Sequence, residues 1–439
     1  MAKSKQLFEC QSCGYQSGKW MGKCPNCGEW DSFVELSKFK ISNTPIQTTS
    51  SSSSKVIAID EIKEDEIERF SSGIDEFDRV LGGGIVPGSL VLIGGSPGVG
   101  KSTLMLKMAS SSNKKILYVA GEESPGQIKL RANRLNNRNK NLFLFPEIIL
   151  ENIVNEINNS YDIIIIDSIQ TIYSEKITSA PGSVSQVRET TFELMRIAKE
   201  LKIPIFIIGH ITKEGSIAGP RVLEHMVDSV LYFEGDASRE LRILRGFKNR
   251  FGSTSEIGIF EMTKTGIESA KNRTFFSKKP QIGSAISVIM EGTRALVIEV
   301  QALVAESYSN NPKRSTTGYE NNRLNMILAL LEKKLNLPFN QYDVFINITG
   351  GIKINEPAAD LAIIAAILSS FRNRELSKET IFIGEVSLVG DIREVTSLDI
   401  RLKEAKSLGF KKAIVPNKPI EENLKIYIVN EVEKLVDWM

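Results

Sequence analysis

A chain of 439 residues is too long for one ordinary hydrophobic core, and at roughly 150 residues per domain it should hold two or three. Its 41% apolar and 25% charged content is that of a globular protein, and a net charge of +2 means that any nucleic-acid surface must be a local patch, not a global field. The opening residues MAKSKQLFEC carry no apolar signal-peptide core, and no apolar run approaches the 18 or so residues that span a bilayer, so a cytoplasmic protein with no membrane partner is expected.

All four cysteines fall at the start of the chain, as Cys10-Gln-Ser-Cys13 and Cys24-Pro-Asn-Cys27, each pair followed by a glycine, Gly14 and Gly28. Two C-x-x-C-G turns suit tetrahedral Zn²⁺, because each turn presents two thiolates while the glycine lets backbone N–H groups approach the sulfurs. Disulfides do not suit a cytosolic chain. A module this small cannot bury a core, so metal binding should supply most of its folding energy. Trp20, Trp30 and Phe33 are available to stack on bases or a partner, with packing against the metal turn the expected use.

Residues 37–55 include a five-serine run at Ser50 to Ser54 and almost no large apolar groups, the composition of a flexible linker. From Phe70 onward, apolar strands predicted at 89–94, 116–120, 163–167, 205–209 and 230–233 interleave with helical stretches such as 102–110 and 186–201. That alternation predicts a mostly parallel sheet covered on both faces. Near 275–283 a Lys-rich segment ending in Pro280 closes this domain. A second α/β or α+β domain follows, with strands predicted at 295–302 and 381–387 and an apolar helix at 358–369. The expected boundaries are a zinc module over 1–36, a linker over 37–60, this α/β domain over 61–272 and a final domain over 273–439.

The chemistry begins at Gly95-Ser96-Pro97-Gly98-Val99-Gly100-Lys101-Ser102, a complete G-x-x-x-x-G-K-[ST] phosphate-binding loop between a predicted strand and a predicted helix, with Thr103 next in line. Its glycines let N–H groups curl around a β-phosphate, Lys101 reaches the β- and γ-phosphates, and the Ser102 hydroxyl is a natural Mg²⁺ ligand. Asp167 ends the run Ile163 to Ile166, where a strand-end carboxylate can join the Mg²⁺ shell. Glu122 and Glu123 follow another apolar strand, and a carboxylate there can polarise the attacking water; spacing leaves both open. His210, again at a strand end, is placed to sense the γ-phosphate and pass its loss to the polar stretch 212–221. Lys248 and Arg250, in Lys248-Asn249-Arg250-Phe251-Gly252, are candidates for cations supplied to a neighbouring subunit's ATP.

Together, the four-cysteine knuckle, the phosphate-loop core and K-N-R-F-G resemble the bacterial RadA (Sms) family of DNA repair proteins over the whole chain. The resemblance implies an α/β fold: a RecA-like P-loop NTPase core followed by a Lon protease-like (ribosomal S5 domain 2-like) domain. It also implies Glu122 as the catalytic glutamate, and Lys248 and Arg250 as cations reaching the next subunit. The implied activity is that of a hexameric, ATP-driven helicase on single-stranded and branched DNA, promoting branch migration alongside the RecA recombinase. An ATP-gated recombination regulator that binds partner proteins without translocating is the alternative.

The segment Glu356 to Leu361 resembles the turn that holds Lon's nucleophilic serine, and Gly384 to Gly390 the strand preceding its lysine. Ala358 stands where the serine should be and Asp399 near the lysine, so no protease is expected. In motors of this kind the DNA-contacting loops follow two of the core strands. Here they would be 173–188 and 212–221, whose Gly, Ser and Thr content and cations Lys176, Arg188, Lys213 and Arg221 suit a sequence-independent, salt-sensitive grip on phosphates.

Overall fold

The structure, a computed structural model, describes residues 7–10, 15–26, 28, 30, 32–36, 68–136, 139–209, 220–235, 241–270, 275–277, 279–309, 311–420 and 424–438. The chain divides into two compact units, 1–269 and 270–439. The expected linker at 37–60, and Cys13, Cys27, His210 and Lys213, lie outside the described residues.

At the start of the first unit, β1 (Leu7–Cys10), β2 (Gln16–Ser17) and β3 (Phe33–Leu36) form an antiparallel sheet in the order β2-β1-β3. Its buried cluster consists of Cys10, Cys24 and Phe33. The two indoles lie at the surface beside the turn that leads into Cys24. Trp20 and Trp30 are 54% and 69% exposed, Trp20 donating Nε1–H to the Phe33 carbonyl at 3.2 Å and Trp30 lying under the Lys23 ammonium.

The core that follows contains α1 (Asp75–Val80), β4 (Leu90–Gly94), α2 (Lys101–Ser111), β5 (Ile116–Ala120), α3 (Pro125–Arg134), β6 (Leu142–Phe145), α4 (Leu150–Glu156) and β7 (Ile163–Asp167). It continues with α5 (Val184–Leu201), β8 (Ile205–Ile208), α6 (Pro220–Met226), β9 (Ser229–Glu234), β10 (Leu241–Asn249), β11 (Ile257–Thr263) and β12 (Gly266–Ser269). They build a nine-stranded sheet in the order β12-β11-β10-β9-β4-β8-β7-β5-β6. The six strands from β9 to β6 are parallel. Because side chains alternate along a strand, an all-apolar strand feeds two cores at once. Val91, Ile93, Tyr118, Ile163, Ile165 and Phe206 pack with α1, α2 and α3. Leu90, Leu92, Leu117, Ile164, Ile166 and Ile207 pack with α4, α5 and α6. Each fully buried aliphatic side chain of this kind contributes about 1.5–3 kcal/mol.

The predicted parallel sheet is therefore present, but three further strands extend it antiparallel through β10, β11 and β12. Leu241 to Asn249 reads LRILRGFKN, whose cations hide a strand from a search for apolar runs; Arg242 is nonetheless 4% exposed.

In the second unit, β13 (Ser284–Glu291), β14 (Arg294–Glu306), β15 (Arg314–Thr317), α7 (Asn321–Leu335), β16 (Tyr342–Ile348), α8 (Asp360–Phe371) and β17 (Thr380–Phe382) come first. A hairpin of β18 (Glu385–Val386) and β19 (Ile392–Arg393), then α9 (Leu398–Ser407), β20 (Lys412–Val415), β21 (Lys425–Ile428) and α10 (Val432–Leu435), complete it. Its seven-stranded sheet runs β15-β16-β14-β13-β17-β20-β21. The predicted strand over 381–387 is broken: β17 stops at Phe382, and the Gly384 N–H turns aside to donate to the Ala358 carbonyl at 2.9 Å. Likewise the helix predicted from 358 starts at Asp360, after one 3-10 turn over Pro357–Ala359.

Candidate active site

The phosphate loop crosses from β4 to α2, and its first glycine has no room for a side chain. A Cβ at Gly95 would lie 2.4 Å from the Phe233 carbonyl oxygen, and the residue's φ of +146° is in glycine territory. The Lys101 ammonium folds back on the loop, donating to the carbonyls of Gly95 at 2.8 Å and Ser96 at 3.1 Å. Burial pushes its pKa down to about 8, against the pull of Asp167 and Glu122. Those carbonyls occupy the lysine where phosphate oxygens would otherwise compete for it.

Ser102 faces Asp167 across the space between α2 and the end of β7, near enough to favour the ionised carboxylate. Burial raises the Asp167 carboxyl above its ordinary range and Glu122 and Glu123 act the same way, while hydrogen bonds from Tyr118 and Ser102 oppose them. A hydroxyl and a carboxylate side by side at the mouth of a phosphate loop are hard oxygen donors of the kind Mg²⁺ takes. The residues present thus fit the ion.

The two adjacent glutamates part company. Glu122 is exposed and receives a hydrogen bond from the buried Ser168 hydroxyl, next to Asp167. Glu123 turns the other way, onto Arg131 of α3 at 2.6 Å. Both carboxylates act on Asp167, and Glu122 is tied to Ser168, the residue that follows Asp167. Sequence reasoning missed two supports. Arg242, in β10, donates Nε–H to the Val99 carbonyl at 3.0 Å and so holds the phosphate loop from the antiparallel side of the sheet. Tyr118, in β5, donates to Asp167 Oδ2. A buried arginine among the apolar residues of β10, and a tyrosine within ILYVA, were the available signals.

Lys248 to Gly252 form a braced turn at the other edge of the sheet. Lys248 donates to the carbonyls of Glu224 at 2.6 Å and Val227 at 2.8 Å, closing the end of α6. Asn249 accepts from the Phe251 N–H at 2.9 Å and reaches the Val80 carbonyl at 3.3 Å; Arg69 donates to Phe251 O at 2.5 Å. A Cβ on Gly252 would lie 3.0 Å from Gly82 Cα. Four of the five residues build this platform, and Arg250 projects from it, 54% exposed, with a 3.3 Å contact to Asp228.

The loop after β7 is equally braced. Gln186 of α5, 1% exposed, accepts from the Ser174 N–H at 2.9 Å and donates to the carbonyls of Ser174, Ile177 and Ser179 at 3.0–3.1 Å. Lys176 stands on this loop 79% exposed, 3.9 Å from Glu151. Arg188 is exposed too, but as part of α5, not of the loop, and Arg221 falls within α6. In the zinc module, Cys10 and Cys24 are both buried, and the Gly28 N–H donates to the Cys24 carbonyl at 2.8 Å, a turn that suits a thiolate pair.

A phosphate loop, strand-end carboxylates and a parallel sheet that switches direction beside them define a P-loop ATPase with a RecA-like core. Comparison with known proteins agrees in each part: residues 8–35 match the rubredoxin metal binding domain, 70–143 the KaiC ATPase family, and 319–419 the family of subunit ChlI of Mg-chelatase. DNA repair protein RadA of Campylobacter jejuni is 61% identical over 100% of both chains, that of Helicobacter pylori strain 26695 is 58% identical over 100% of both, and that of Bacillus subtilis is 49% identical over 95% of this chain and 93% of its own. The chain belongs to the DNA repair protein RadA family. A RadB recombinase crystal structure is similar over 45% of this chain and 98% of its own, at 23% identity and a TM-score of 0.37. Among the described residues no helix is long and apolar enough to cross a membrane.

Proposed function

We propose that this protein is an ATP-driven motor on single-stranded DNA that works as a ring, hexameric by family resemblance, and promotes branch migration of recombination intermediates alongside a RecA-type recombinase. The observation that carries the reading is where Arg250 stands. Its partner Asp228 also accepts from the N–H of Leu90, the first residue of β4, at 3.0 Å, whereas the phosphate loop leaves the other end of that five-residue strand. At ~3.3 Å per residue, four steps put the two ends roughly 13 Å apart. An arginine on a rigid, outward platform at the edge remote from its own phosphate loop is suited to a neighbour's ATP, where one cation against the transferring phosphoryl group is worth about 10³–10⁵ in rate. Lys248, committed to the end of α6, positions this platform.

Within each subunit Lys101, Ser102, Thr103 and the loop N–H groups hold the phosphates, Asp167 and Ser102 hold Mg²⁺, and Glu122 orients the attacking water. The loop 174–183 with Lys176, together with Arg188, is the DNA-facing surface among the described residues. Cys10 and Cys24 are ligands of a Zn²⁺ that stabilises the N-terminal module. The second unit is a platform and not a protease. Ala358 has no nucleophile, and the surrounding polar groups are engaged with one another: Arg401 with Glu356 at 2.6 and 2.8 Å, and Asp360 with Tyr319 at 2.6 Å and with Arg323.

Mixing Lys101→Ala and Arg250→Ala chains, each inactive alone, tests this in one experiment. Shared interfaces that pair an intact phosphate loop with an intact Arg250 should restore part of the single-stranded-DNA-stimulated ATP turnover. No recovery would refute the trans arrangement. Turnover of the unaltered protein that ignores DNA would refute the motor, and DNA-stimulated turnover without strand displacement would favour the regulator.

A further inference from the structure

Tyr118 is buried beside the end of β7 that carries Asp167. It lies in β5, paired with Ile165 of β7, two residues short of Asp167. It is 0% exposed and shares its face of the sheet with Ile163 and Ile165 beneath α2. Two residues of β-strand rise ~6.6 Å, about the reach of a phenol from Cα to hydroxyl, so a tyrosine at this register, and no shorter side chain, brings an O–H to the carboxyl end of the neighbouring strand. The acceptor there is Asp167 Oδ2. Aliphatic residues fill the neighbouring positions Ile116, Ile163 and Ile165, so packing alone does not call for a hydroxyl; a buried one without a partner would cost about 1–3 kcal/mol.

A carboxylate at a strand end, flanked by Glu122 and Glu123, can rotate away from Ser102 unless something other than the cation fixes it. A partner that orients a ligating group from behind commonly changes metal affinity 10–100-fold when removed. We propose that Tyr118 is a positioning residue for Mg²⁺–nucleotide: it holds one oxygen of Asp167 so that the carboxylate faces Ser102 before the cation arrives. This rests on the reading of Asp167 as a Mg²⁺ carboxylate.

The test is Tyr118→Phe in the full chain, which keeps the ring and its packing, with binding of a fluorescent ADP analogue measured in Mg²⁺ and in EDTA. Affinity in EDTA should match the unaltered protein within about twofold, while the gain in affinity produced by Mg²⁺ shrinks about tenfold. An undiminished gain would overturn the proposal. In an Asp167→Asn background, Tyr118→Phe should change the gain no further. An equal loss there would mean that the hydroxyl acts by some route other than Asp167, and would overturn it as well. If the unaltered protein shows no Mg²⁺-dependent gain, the Asp167 reading falls and this proposal with it.

Discussion

Glu122 and Glu123 are adjacent and chemically identical, yet one hydrogen bond each assigns them different work: Ser168 holds Glu122 beside Asp167, and Arg131 draws Glu123 toward α3. Loss of a positioned base commonly lowers a rate by 10²–10⁴. Glu122→Gln should therefore lower ATP turnover by at least about 10²-fold with nucleotide binding retained, whereas Glu123→Gln should leave turnover within about threefold. Steady-state hydrolysis beside an ADP-analogue titration measures both, and equal losses in the two variants would contradict the assignment. Spacing could not separate them, because the separation lies in side chains from β7 and α3 that meet only in the folded state. Lys248 and Arg250 differ likewise in their surroundings: Lys248 donates to carbonyls at the end of α6, and Arg250 is 54% exposed beside Asp228.

At the scale of elements, the loop 174–183 is braced by a buried amide, with Glu151 holding its start. Gln186 makes four hydrogen bonds to its backbone, and without them buried N–H and C=O groups lose their partners, at about 1–3 kcal/mol each. Gln186→Leu should loosen the loop while leaving the phosphate loop intact. DNA-independent ATP turnover is expected to stay within about twofold and the DNA-stimulated increment to fall several-fold, with weaker DNA binding at every salt concentration. A variant with full stimulation would detach this loop from DNA. The parallel strands β4, β5, β7 and β8 were legible because each is a short, wholly apolar run. Of the antiparallel strands only the start of β10, Leu241 to Leu244, was legible, since their cations and glycines are placed by tertiary contacts such as that of Arg242 with the phosphate loop.

For the whole molecule, the two units draw on different stabilising groups. In the second, the 2%-exposed side chain of Glu299 pairs with Lys378 at 3.0 Å. Burial alone would raise the Glu299 carboxyl, but the Ser284 hydroxyl, the Ser277 N–H and Lys378 hold it below the ordinary glutamate range. A depressed carboxylate stabilises the fold above its unfolded pKa of about 4.3, and that contribution disappears as pH falls through the folded value. Glu299→Gln, which strands the Lys378 charge, should destabilise the second unit by about 3–5 kcal/mol at pH 7. The gap to the unaltered protein should close as the pH drops from about 5 to 3. Hydrogen exchange in β13 and β14 of the full chain, against urea, reads this, and a pH-independent gap would exclude the pair as its source. The N-terminal module, whose described residues bury a cluster of two cysteines and one phenylalanine, should depend on the Zn²⁺ proposed for it.

What the sequence by itself determined is whatever chemistry is written in consecutive residues: the phosphate loop at Gly95 to Ser102 between its strand and helix, the paired C-x-x-C turns, the carboxylate closing an isoleucine run, and the missing serine at Ala358. Each depends on local backbone geometry, which a short stretch of chain specifies. Tertiary structure alone decided which partner each glutamate takes, that Tyr118 and Arg242 support the site from other strands, and that Arg250 lies at the opposite end of the strands from its own phosphate loop. Those outcomes depend on strand order and register, which bring together residues tens of positions apart.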